Sequence, residues 1–191
     1  MDGASASSIV LHQEIEKFNI LLKFIKSTLS DLIRAILGEV VMSQGLELIY
    51  QSIYLRKVPA SWHGVGFKSE KGLGAWVDDL RKRVEFMKSW MEVGRTKVFQ
   101  LPAFFFPQGF LTGVLQDYSR KHMVPINLLD FAFEVLLVME PQDVKDYVED
   151  GVLISGLWMQ GCSWDFKKKK KKGEGEDEDN EEESRDVIVD R

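Results

Sequence analysis

Apolar residues recur along the first fifth of the chain at alternating four- and three-residue steps: Leu11, Ile15, Phe18, Leu22, Ile25, Leu29, Leu32 and Ile36. That spacing predicts one amphipathic helix from about Ser8 to Leu37, about 45 Å long at 1.5 Å per residue. The steps would suit a coiled-coil seam, but Ile20, Leu21, Ile33 and Leu37 widen the stripe toward that of a helix packed among several neighbours. Gly38 suits its stop. Ser43 can cap a second helix carrying Leu46, Ile49, Tyr50 and Ile53, which Pro59 ends. The glycines at 64, 66 and 72 mark Pro59 to Gly72 as a loop. A third helix, about Leu73 to Met91, sets Trp76, Val77, Leu80, Val84, Met87 and Trp90 on one stripe, with Asp78, Asp79, Arg81, Lys82 and Lys88 outside it.

A fourth helix starts at Pro107, whose missing N–H has no helical partner to lose at the first position. It puts Phe110, Leu111, Val114, Leu115 and Tyr118 on one face and Gln116, Arg120 and Lys121 away from it. After Pro125 the period changes. Phe131, Phe133, Val135 and Leu137 alternate with Ala132, Glu134, Leu136 and Val138, which predicts a strand over Phe131 to Val138. Val152 to Trp158 reads as its partner, entered through a turn at Gly151. No fixed-period repeat is present. The expected class is α+β, mainly α: a bundle of about four helices followed by the start of a small antiparallel sheet.

Composition divides the chain in two. Residues 1–166 have the aromatic and aliphatic content of one ordinary domain, within a chain of 191 residues that is 45% hydrophobic. Residues 167–191 open with a six-lysine run, Lys167 to Lys172, followed by an almost wholly acidic stretch from Glu174 to Glu183. Neither block can bury enough apolar surface to offset ordering entropy, so the tail is expected to be disordered. The lysines could meet an acidic surface, serve as an import signal, or stay solvated beside their own acidic neighbours. A net charge of −5 gives no reason to expect nucleic-acid binding. Cys162 is the only cysteine, which excludes an internal disulfide and any multi-thiolate metal site and suits a reducing compartment. Met1 to Ser8 has no secretory pattern, and no apolar run reaches the roughly 20 residues that span a bilayer. No membrane partner is expected.

Catalytic chemistry finds little to stand on. Gly64-Val65-Gly66-Phe67-Lys68-Ser69 has Phe where a phosphate loop needs its second glycine, and no apolar strand precedes it. His12, His63 and His122 are isolated, so no zinc site is expected. Asp78-Asp79 and Glu149-Asp150 read as solvated charge and turn chemistry. Neither a catalytic residue, a cofactor nor a metal is expected.

The densest motif is Phe104-Phe105-Phe106-Pro107-Gln108-Gly109-Phe110-Leu111-Thr112-Gly113. Three consecutive aromatics cannot all point inward from one regular element, so they form either an exposed binding patch or an irregular loop buried between helices and sheet. This string resembles the FFFPQ-FLTG signature of the C-terminal region of dynein heavy chains, especially axonemal ones of the inner-arm type. Glu16 to Leu22, Gly38 to Ser43, Val58 to Trp62 and Leu73 to Leu80 are similar to other segments of that region, in the same order. So are Glu149-Asp150-Gly151-Val152 and Gly156 to Asp165. Two departures stand out: Val65-Gly66-Phe67-Lys68 replaces a Ser-Tyr-Pro-Ser turn, and Cys162-Ser163 replaces Ala-Arg.

The resemblance implies the first part of a domain that packs on a ring of ATPase modules and continues into strands completing a β-barrel, here incomplete. It implies a non-catalytic portion of a minus-end-directed microtubule motor of cilia and flagella, in the cytoplasm, cytoskeleton and axoneme. Partners would be the ATPase ring and other dynein subunits, with microtubules only indirectly and ATP held by other modules. The candidate interface and signature residues are Phe104, Phe105, Phe106, Pro107, Gln108, Phe110, Leu111, Thr112, Gly113, Trp62, Trp76, Trp164 and Asp165. The alternative is an independent helical adaptor that uses the aromatic segment and the lysines.

Overall fold

The computed structural model describes residues 5–94, 96–135, 143–144, 147–156, 162–165 and 185–189. Five α-helices dominate the described residues: α1 (Ala6–Ile36), α2 (Gln44–Tyr54), α3 (Ala60–Val65), α4 (Leu73–Val93) and α5 (Pro107–His122). Their ends follow local chemistry. The Ser43 hydroxyl accepts the Leu46 N–H at 3.3 Å to cap α2. Pro107 opens α5, and α1 runs out at Gly38, whose φ of +78° a side group would resist. The mainly helical α+β class matches the hydrophobic pattern.

Two expectations about the helices need correction. The stretch from Pro59 to Gly72 is not all loop: Ala60–Val65 winds into α3 and delivers Trp62 to the core. The seam of α1 is also rotated from its apparent axis. Leu21 is fully buried and Leu22 exposed, with α1 meeting α2, α3, α4 and α5.

The strands depart further. β1 (Val98–Gln100) is not legible in the pattern, and it pairs in parallel with β3 (Leu153–Ser155), Val98 opposite Leu153 and Gln100 opposite Ser155. Parallel neighbours need a long crossover, and α5 lies in the segment between them. Thus Val152 to Trp158 does not partner Phe131 to Val138 among the described residues. Of the latter, only Glu134–Val135 is strand (β2), and residues 136–138 lie outside the described set. A second, antiparallel sheet has the order β2, β5 (Arg185–Val189), β4 (Cys162–Asp165). Within the tail expected to lack structure, residues 185–189 therefore form a strand, consistent with the β-preferring run Val187-Ile188-Val189. The lysine and acidic runs lie outside the described residues.

Aromatic packing makes the core. Phe67 stacks on Trp76 at 5.2 Å between ring centres, and Trp62 lies 5.8 Å from Trp76. The Arg83 guanidinium sits 4.0 Å from the centre of the Phe67 ring and is held by Asp79 at 3.0 Å. Phe67 thus turns the departure at 65–68 into core, and the adjacent Asp79 is partnered rather than simply solvated. A Cβ at Gly66 would meet the Trp62 carbonyl at 2.9 Å, so this turn needs glycine.

Candidate functional site

The aromatic segment is split by its surroundings, with one side chain exposed and the other two buried or half-buried. Phe104 is buried, with Phe110 stacked at 4.6 Å and Trp90 at 6.0 Å. Phe105 is half-buried, edge-on to Phe18 at 4.6 Å and to Phe67 at 6.2 Å. Phe106 is 58% exposed. Its ring lies over Gly109, where an added Cβ would come within 2.5 Å.

A buried carboxylate fixes this geometry. Glu14, on the inward face of α1 and only 2% exposed, accepts the Phe105 N–H at 2.7 Å and the Phe106 N–H at 3.0 Å. These amides precede α5 and lie outside its helical ladder, so without Glu14 two part-buried donors would lose their protein acceptor. No motif points to Glu14. The available signal is a single acid between Leu11, Ile15 and Phe18 on an apolar face.

The rest of the signature is scaffolding. Pro107 starts α5, and the Thr112 hydroxyl donates to the Gln108 carbonyl at 2.9 Å. Gln108 and Thr112 stand toward solvent, Leu111 is half-buried against the core, and Phe110 is fully buried. Gly113 is buried where a Cβ would meet Val10 at 3.4 Å, so it lets α5 approach α1 closely. Trp62 donates its indole N–H to the Thr28 hydroxyl at 3.1 Å. Trp76 is fully buried, and its indole nitrogen has no partner among the described residues. Of Trp164 and Asp165, the backbone pairs with Val187 and Asp186 across β4 and β5.

Two acids tie the second half of α5 to its neighbours. Asp117 accepts the Ala6 N–H at 2.8 Å, the Ser7 N–H at 3.2 Å and both the Ser5 and Ser7 hydroxyls, capping α1 from another helix. Burial pushes the Asp117 pKa up, but the hydrogen bonds from Ser7, Ser5 and the two amides outweigh it and hold the group below the ordinary aspartate value of 3.8. A lowered folded pKa means the cap stabilises the fold fully above the unfolded value, and that stability is lost as pH falls through the folded one. Asp117→Asn should therefore be less stable than wild type by about 1 kcal/mol at pH 7. The gap should close as acid protonates the wild-type carboxyl, as chemical melts at pH 7 and below pH 3.8 would record. A gap independent of pH would refute the assignment.

One turn further on, Asp150 meets Lys121 at 2.7 Å and His122 at 2.8 Å. The hydrogen bond from Lys121, then that from His122, holds its carboxyl below the ordinary value. Gly151, at a φ of +98°, turns the chain from this clip toward β3. The Glu149-Asp150-Gly151 motif is thus a latch on α5. Among the described residues no group of three or more His, Cys, Asp or Glu is placed to share a metal ion, and no helix is long and apolar enough to cross a membrane.

Comparison with known proteins agrees with the motif order. The family model for the C-terminal domain of the dynein heavy chain matches residues 1–177. Dynein axonemal heavy chain 12 of Mus musculus is 43% identical over 157 residues, 82% of this chain and 5% of the relative. The dynein-1-beta heavy chain, flagellar inner arm I1 complex, of Chlamydomonas reinhardtii is 42% identical over 166 residues, 87% of this chain and 4% of the relative. Dynein axonemal heavy chain 6 of Homo sapiens is 40% identical over 200 residues, 88% of this chain and 5% of the relative. The chain spans about a twentieth of the length of these relatives. A helical scaffold closed around Phe104 to Gly113, and matched by that family over nearly its whole described extent, belongs to the C-terminal domains of dynein heavy chains.

Proposed function

We propose that this chain serves as a non-catalytic C-terminal portion of a dynein heavy chain, packing on the ATPase ring of a minus-end-directed motor in the ciliary or flagellar axoneme. The observation that carries this is the build of the aromatic segment. Glu14 and the core fix its backbone while Phe106 is left on the surface, as suits a rigid apolar contact rather than a reaction centre. In this reading ATP and its hydrolysis belong to the ring, the other dynein subunits are further partners, and microtubules are engaged indirectly.

The test mixes the chain with a motor fragment of an inner-arm heavy chain that ends before its own C-terminal region. A one-to-one complex by sedimentation, together with no Mg-ATP binding to the chain alone by calorimetry, is expected. Micromolar Mg-ATP binding near one per chain would refute the non-catalytic role. Failure to form the complex would refute ring packing and favour an independent adaptor.

A further inference from the structure

β5 stands at the centre of its sheet, yet it comes from outside the matched domain. The family match ends at residue 177, while Arg185–Val189 lies between β2 and β4 and runs antiparallel to both. Among the described residues β2 and β4 have no other ladder partner, so these five residues are what joins them in the sheet. The run Val187-Ile188-Val189 is made of β-branched residue types that strands favour, and the acidic stretch before it contains none. One rank of the ladder is poorly matched. Asp186 stands opposite Glu134 in β2 and opposite Asp165 in β4, and like charges at opposed positions weaken pairing.

We propose that residues 185–189 are a detachable strand: a segment of this chain that fills a strand-receiving slot between β2 and β4, and leaves or re-enters it as a unit. The facing edges of β2 and β4 invite such a strand, because their backbone N–H and C=O groups need partners. Ladder bonds of this kind are the general means by which an extended segment adds to a sheet. The connection from β4 through residues 166–184 selects this chain's own segment over that of a second copy. Tethering supplies an effective concentration in about the millimolar range, well above that of a free copy at working dilution. The acidic rank at Asp186 keeps the grip loose enough for the strand to part. This device stands whether or not the domain packs on an ATPase ring.

The test uses the full chain with Val187→Pro, which removes a backbone N–H from the middle of β5, where a central strand does not tolerate proline. Amide hydrogen exchange over residues 134–135 and 162–165 should accelerate about tenfold or more, while exchange in α1, α4 and α5 stays as in wild type. A synthetic peptide of residues 184–191, added at about 1 mM to match the tether, should restore protection in the variant and leave wild type unchanged. The same peptide carrying proline in place of Val187 should restore nothing. Asp186→Asn in the full chain relieves the like charges and should slow exchange at residues 162–165. Protection that survives Val187→Pro, a peptide that fails to restore it, or exchange no slower in Asp186→Asn overturns the proposal. Faster exchange in the helices of the proline variant also overturns it, since β5 would then be integral to the core rather than detachable. A wild type that sediments as a dimer, with a monomeric proline variant, overturns it in favour of a strand swapped between copies.

Discussion

Phe110→Ala is expected to destabilise the fold by about 4 kcal/mol, the range for emptying a buried Phe site. The ring is wholly enclosed, with Phe104 at 4.6 Å, Phe99 at 4.7 Å and Trp90 at 6.1 Å, and these neighbours come from elements that cannot all move inward together. Such a loss is a large share of the roughly 5–15 kcal/mol that holds a domain together. Phe106→Ser, four residues earlier, should stay within about 0.5 kcal/mol of wild type, as surface changes do. Urea melts of the two variants give the comparison. Similar losses in both would mean that the aromatic segment is not divided between core and surface.

The second large effect should come from a charge in an apolar place. Glu14→Ala leaves the Phe105 and Phe106 amides without their acceptor and should cost about 3 kcal/mol, given the worth of hydrogen bonds to charged groups. Glu14→Gln should recover only part of this. One oxygen of the carboxylate serves each amide, so the glutamine NH₂ would have to face one of those N–H donors. Amide hydrogen exchange at residues 105 and 106 should accelerate in both variants. A melt for Glu14→Ala within about 0.5 kcal/mol of wild type, the scatter of neutral surface changes, would show that the pair of bonds contributes nothing net.

Helices are readable because their causes are local. The Ser43 cap and Pro107 start each need only neighbouring residues, and the strips of α1, α4 and α5 repeat often enough to define a period. β1 is not readable, because three residues do not establish alternation, and its partner lies more than fifty positions away. The same distinction runs through the site. Phe104 to Gly113 is visible as a string, yet its geometry depends on Glu14 and Asp117. A carboxylate on a helix looks solvated in sequence until the fold brings amides to it. Trp164 and Asp165 share a motif with Gly156, yet the strand before Gly156 pairs with β1 while theirs pairs with β5, since pattern order does not specify which sheet a strand joins.

The contact between Glu14 and the aromatic segment spans 91 residues, and that between Ser5 and Asp117 spans 112. During synthesis at about 5–20 residues per second, α1 would leave the ribosome roughly 5–20 s before the amides and the capping carboxylate that complete its surroundings. For that interval Phe18 has no Phe105 and Val10 no α5 to shelter them, and Glu14 keeps its water. The nascent polypeptide therefore presents a long apolar helix to the cell well before its core can close, which makes this stretch the natural point of chaperone engagement and the place where a stalled or shortened translation product would aggregate.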